Sequence, residues 1–141
     1  REFNLSILIV AGILSFMIFF PLVVATSVFK VLDEKQSSKF LRIFFPKYYL
    51  FGLVLGTLGL IISIVEENII NMSVFIFLII GFIFSRQVLM PLINKAKDSN
   101  NEIIFNRLHR FSVLINFLQI GSCIFFITFF WDDFFKTYGW V

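Results

Sequence analysis

Residues 68–85 read Asn-Ile-Ile-Asn-Met-Ser-Val-Phe-Ile-Phe-Leu-Ile-Ile-Gly-Phe-Ile-Phe-Ser, without one Asp, Glu, Lys or Arg. A bilayer core is crossed by about 20 apolar helical residues, each rising ~1.5 Å. Membrane β-strands are the other way to pair every backbone group in lipid, and they show segments of about ten residues with alternating polarity. Here Ile76-Phe77-Leu78-Ile79-Ile80 is apolar on every side, so the stretch predicts a helix. Three more charge-free stretches, 3–29, 48–65 and 111–131, lie on either side of it. Together the four cover more than half of the 141 residues. A chain that is 59% hydrophobic and 15% charged has more apolar surface than a soluble domain of this size can bury. The same composition excludes disorder, and a single cysteine excludes a disulfide-framed secreted domain.

The expected fold is all-α: one integral membrane domain over residues 1–141, built as a four-helix bundle of antiparallel up-down topology. The spans are expected at about 5–31, 48–65, 69–92 and 106–131. The first is too long for the apolar region of a signal peptide and reads as a retained span. Phe40, Leu41, Ile43, Phe44 and Phe45 alternate with Lys39 and Arg42, which predicts an interfacial segment over 36–46. Glu66-Glu67-Asn68 is short enough to make spans two and three neighbours. Tyr48, Tyr49, Trp131, Tyr138 and Trp140 fall near span ends, where amphipathic rings prefer to sit.

Charge sets the expected orientation. Lys30, Lys35, Lys39, Arg42, Lys47, Arg86, Lys95, Lys97, Arg107 and Arg110 fall on the side of the first and third loops. Only Arg1 and Lys136 fall on the other, together with Glu2, Glu66, Glu67, Asp132 and Asp133. Basic loops stay in the cytoplasm, so both termini are expected outside it, in the periplasm if the cell is bacterial. The basic face is expected to meet anionic lipid. Nucleic acid is not an expected partner, because the cations are membrane-adjacent.

Two polar patterns interrupt the apolar spans. Gly52, Gly56, Gly59 and Ser63 are spaced 4, 3 and 4, which keeps small residues on one helix face and lets another backbone approach. That neighbour is another span of the same chain or a second copy. His109, Ser112, Asn116, Gln119 and Cys123 form a polar seam on span four. Polar groups in lipid need partners. The seam therefore serves either interhelical hydrogen bonds or a cavity with His109 at its mouth. Arg86 either snorkels to the head groups or turns inward near His109, where Asn116, Ser85 or a carbonyl freed at Pro21 is its acceptor. Pro21 lies inside span one and predicts a kink, while Pro91 is expected to help end span three.

Catalytic chemistry is sparse. One His and one Cys cannot build a metal cage. No phosphate loop, nucleophile elbow or intramembrane acidic pair is present. An enzyme is therefore the weaker expectation. No cofactor is expected, although His109 alone allows a single axial haem ligand.

Several segments resemble the family of the human transmembrane protein 205 and its bacterial counterparts. They are Phe45-Pro46-Lys47-Tyr48-Tyr49, then Arg86, then Pro91-Leu92-Ile93-Asn94. The fullest is Phe105-Asn106-Arg107-Leu108-His109-Arg110-Phe111-Ser112-Val113-Leu114-Ile115-Asn116, in the pattern F-x-x-[LY]-H-x-x-S-x-L-x-N. Gly12 and Pro21 fit it as well. The resemblance implies four antiparallel spans and assigns no biochemical function. It also implies a distant likeness of architecture to four-helix copper-resistance and haem-pathway proteins, whose further histidines this chain lacks.

Three functions follow as expectations. The leading one is a non-enzymatic accessory subunit of a membrane complex, or a homo-oligomer joined through the span-two stripe. The second is a transporter or small-ligand binder with a cavity lined by Arg86, His109, Ser112, Asn116 and Gln119. The third is a haem-associated redox protein using His109.

Overall fold

A computed structural model describes residues 4–139. Arg1, Glu2 and Trp140, which enter the charge and ring arguments above, lie outside the described residues. Four helices result, each long and apolar enough to cross a membrane: α1 Leu5–Val31, α2 Glu34–Val65, α3 Ile69–Asp98 and α4 Glu102–Tyr138. Each packs against the next, and α4 returns to pack against α1.

The three turns are tight, and each is closed by a capping side chain. Asp33 accepts from the Gln36 N–H at 2.8 Å, Asn68 from Asn71 at 3.1 Å and Asn101 from Ile104 at 3.2 Å. Each cap satisfies a backbone donor that the first helical turn would leave unpaired. Asn100 takes a left-handed conformation in the third turn, which asparagine tolerates well.

The helices are longer than the expected spans. Residues 36–46 are not a separate segment: they are the opening turns of α2, which continues through Pro46 to Val65. Pro91 does not end α3, which runs on to Asp98. α4 starts at Glu102 rather than near Asn106 and extends past Trp131 to Tyr138. The polar starts and ends are helical because they pack on one another. Arg42 of α2 pairs with Asp98 of α3, and Lys97 of α3 pairs with Glu34 of α2 at 2.7 Å.

Two of the three prolines adjoin π-helical turns. Pro21 lies in the π-helical stretch Phe20–Ala25 of α1, and Pro91 follows the π-helical stretch Ser85–Leu89 of α3. A proline leaves the carbonyl four residues back without its donor. An i→i+5 register hands that carbonyl to the next N–H along. In α1 the hydroxyls of Thr26 and Ser27 also reach back, to the Leu22 and Val23 carbonyls at 2.7 Å each.

The core forms where all four helices meet. Val10, Ile13 and Met17 of α1, Phe75, Leu78 and Phe82 of α3, and Cys123 of α4 are fully buried. Gly52, Gly56 and Gly59 face α3, where they receive Phe82, Ile79 and Phe75 respectively. A Cβ on Gly52 would lie 2.8 Å from the Phe82 ring, and one on Gly59 would overlap Phe75. Ser63 is buried at the end of the same stripe and donates to the Gly59 carbonyl at 2.8 Å. The stripe is therefore filled from within the chain, and its small residues let the α2 and α3 backbones come together.

Candidate functional site

The two parts of α1 have different neighbours. Leu5–Phe19 packs on both α2 and α4, whereas Thr26–Val31 packs on α2. The change falls at the π-helical turn. There Phe20 stacks on Phe44 at 4.9 Å and sets its edge against Phe45 at 5.0 Å, which ties the turn to α2. Past this point α1 parts from α4, and a cleft of about 820 Å³ opens beside them. That volume lies within the ~300–1,000 Å³ of small-molecule sites.

All four helices contribute to its wall. α1 supplies Phe20, Pro21, Ala25 and Phe29, and α2 supplies Arg42, Phe45, Tyr48 and Tyr49. α3 supplies Met90, Ile93, Asn94 and Lys97, and α4 supplies Phe105, His109, Ser112, Val113, Asn116, Phe117 and Ile120. The interior is apolar and aromatic, and the charges gather at the end formed by the first and third turns.

The polar seam of α4 divides. His109, Ser112 and Asn116 line the cleft. Gln119 does not: it is buried between α3 and α4, donating to the Leu78 carbonyl at 3.0 Å and packing on Gly81. Cys123 follows it into the core. The seam keeps to one face of α4, but that face meets the cleft at one end and packed neighbours at the other. His109 is exposed, and its ring lies parallel to Phe105 with centroids 6.1 Å apart.

Arg86 does not join His109. Its Nε donates to the Pro46 carbonyl at 3.2 Å and its Nη1 to Gln87 at 3.2 Å. It thus faces α2 and not the cleft, and the acceptors expected for it at Asn116, Ser85 and Pro21 are not the ones it uses. The π-helical turn of α3 that carries Arg86 packs mainly on α2, which fixes this direction. Tyr49 lies beside the Ser85 and Ser112 hydroxyls.

The cations that line the cleft are Arg42 and Lys97, and Arg42 is the one on α2. It is held by Asp98 and donates to the Asn94 carbonyl at 3.4 Å. A sequence signal for it exists. Ser38, Arg42, Phe45 and Tyr49 carry the alternation of four and three straight into Gly52, Gly56, Gly59 and Ser63. One unbroken helix face therefore starts in the cleft and ends in the core.

Two buried polar side-chain atoms lack a partner among the described residues: Asn4 Oδ1 and the Tyr48 hydroxyl. The second belongs to a cleft-lining residue. No group of three or more His, Cys, Asp or Glu able to hold a metal occurs among the described residues.

Residues 6–102 match a family model described as a domain of unknown function (DUF4149). The match takes in the first three helices and the third turn. The Phe105–Asn116 segment, which bears the fullest part of the transmembrane protein 205 resemblance, lies beyond it. No curated protein and no solved structure matches the chain.

Proposed function

Because the chain belongs to the DUF4149 family, a membership that assigns no activity, we propose its function from the cleft: it is a multi-pass membrane protein that binds an amphipathic small molecule between α1 and α4. The observation that carries this reading is the divergence of α1 from α4 at the π-helical turn, with the apolar cleft beside it. His109, Ser112 and Asn116 act as polar wall groups, and Arg42 takes the place expected for Arg86. The Gly52, Gly56 and Gly59 face is occupied by α3, so a second copy of the chain has no free stripe there to dock on. The transmembrane protein 205 likeness enters as a shared four-helix design and supports no further step.

A photoreactive fatty acid carrying a diazirine on its chain tests this reading on the purified protein. Crosslinks are expected at Val113, Asn116 and Phe117, which line the cleft, well above those at Leu114 and Leu118, which are exposed on α4 outside it. Equal labelling of both sets, as for bulk lipid, defeats the reading. A Soret band in the same preparation would replace it with haem held by His109.

The cleft end faces the cytoplasm in this reading, since the first and third turns carry the excess of Lys and Arg. Cys123 is fully buried, so introduced cysteines report without a native background. A membrane-impermeant maleimide is expected to label Glu67→Cys from outside the membrane, and Lys95→Cys only after the membrane is opened. The opposite pattern reverses the orientation.

A further inference from the structure

The cleft has a chemically distinct mouth. A shallower depression of about 570 Å³ adjoins it and shares Glu34, Ser38, Arg42 and Lys97 with it. Lys35, Lys39 and Asp98 complete the walls of this depression. Four cations there meet two carboxylates, and both carboxylates are already engaged, Asp98 by Arg42 and Glu34 by Lys97. Lys35 and Lys39 are exposed and form no ion pair among the described residues. An apolar cleft thus opens onto a surplus of positive charge. Arginine and lysine in this arrangement suit an oxyanion, the guanidinium fork matching phosphate geometry in particular.

A second observation lies deeper. Tyr48 lines the cleft and is 7% exposed, and its hydroxyl is buried without a partner. A buried donor left unpaired is destabilising, and an acceptor on a guest would relieve it. Tyr48 is six positions beyond Arg42 on α2, about 9 Å along the axis at ~1.5 Å per residue. Around it the wall is mainly hydrocarbon and aromatic, from Phe20 across to Phe117 and Ile120, with Ser112 and Asn116 as its polar members. From the mouth inward the site therefore asks for an anion, then an acceptor oxygen further in, then an apolar chain.

We infer that the occupant is an anionic glycerophospholipid, with its phosphate at the mouth among Arg42, Lys97 and the unpaired Lys35 and Lys39, an ester carbonyl accepting from Tyr48, and an acyl chain lying between α1 and α4. The inference rests on the reading of the cleft as a binding site and deepens it by naming the class of ligand.

The test uses the full chain in nonionic detergent with two photoreactive probes of identical acyl chains, a phosphatidic acid and a diacylglycerol. The phosphatidic acid is expected to crosslink Val113 and Phe117 at concentrations about tenfold lower than the diacylglycerol. Arg42→Gln combined with Lys97→Gln is expected to erase that difference. If this double variant fails to fold, Lys35→Gln with Lys39→Gln, which alters exposed side chains only, is expected to reduce the difference. Tyr48→Phe is expected to weaken both probes alike, because both carry the ester, while leaving the probe-free protein as heat-stable as before or more so. Equal labelling of the cleft by both probes overturns the phosphate assignment and leaves the cleft reading standing. Displacement of phosphatidic acid by inorganic phosphate alone overturns it in favour of a free-phosphate site. Crosslinks from neither probe at cleft residues bring down the cleft reading itself.

Discussion

Gly59→Ala is expected to lower the unfolding free energy by about 1–3 kcal/mol, the usual cost of overpacking a closed core. Gly12→Ala and Gly121→Ala are expected to change it by no more than about 0.5 kcal/mol, or to raise it slightly. The difference comes from what each new methyl group meets. At Gly59 it overlaps the ring of Phe75, which is fully buried and sits edge-on to Phe126 at 5.9 Å. The ring has nowhere to retreat, so α2 and α3 must separate. Close approach is the main attraction between helices already surrounded by lipid, so separation costs more than one contact. At Gly12 and Gly121 nothing lies within 4 Å of the new carbon, and alanine then gains its better helix propensity. Gly52 and Gly56 should fall in between, in that order, with approaches of 2.8 Å to Phe82 and 3.0 Å to the more flexible Ile79. Thermal or denaturant unfolding of the five variants in detergent gives the ranking. A Gly59→Ala protein as stable as Gly12→Ala would show that the α2–α3 interface is looser than described.

Pro21→Ala is the variant with the largest expected effect on the cleft. Proline inside a helix costs ~3 kcal/mol or more when its neighbours cannot adapt, and the π-helical register Phe20–Ala25 is the adaptation here. Alanine restores the missing N–H. The second half of α1 is then expected to continue in α-helical register and approach α4, so that the cleft narrows. Crosslinking of Val113 and Phe117 by the photoreactive fatty acid should fall severalfold, while stability rises by about 1–3 kcal/mol. A variant that is stabilised yet labelled as before would assign the divergence of α1 to the ring cluster of Phe20 with Phe44, Phe45 and Tyr48.

The apolar middle of every helix was legible in the sequence, because absence of charge over about 20 residues has one physical use. The polar ends were not. Residues 36–46 read alone as a separate interfacial segment and Lys95–Asp98 as a polar loop, whereas both are helix ends that lie side by side and exchange two ion pairs. Exposed pairs of this kind contribute little, too little to mark a local pattern. The alternation from Ser38 to Ser63 did mark it, since it crosses Pro46 without losing phase. The candidate site was half legible. Helical periodicity put His109, Ser112 and Asn116 on one face, and they share the cleft. Periodicity could not say that the same face meets α3 at Gln119, because that depends on where α1 parts from α4. The direction of Arg86 depends likewise on which neighbour its π-helical turn rests against, which no single-helix pattern contains.

The contact between α1 and α4 also bears on how the protein is made. Val10, Ile13 and Met17 share one packed core with Cys123 and Phe126, so α1 completes its packing only once α4, made about a hundred residues later, has followed it. At ~5–20 residues per second the interval is roughly 5–20 s. During that time α1 has a seam of its surface unmatched. Chains cut short before Cys123 would leave that seam open for good.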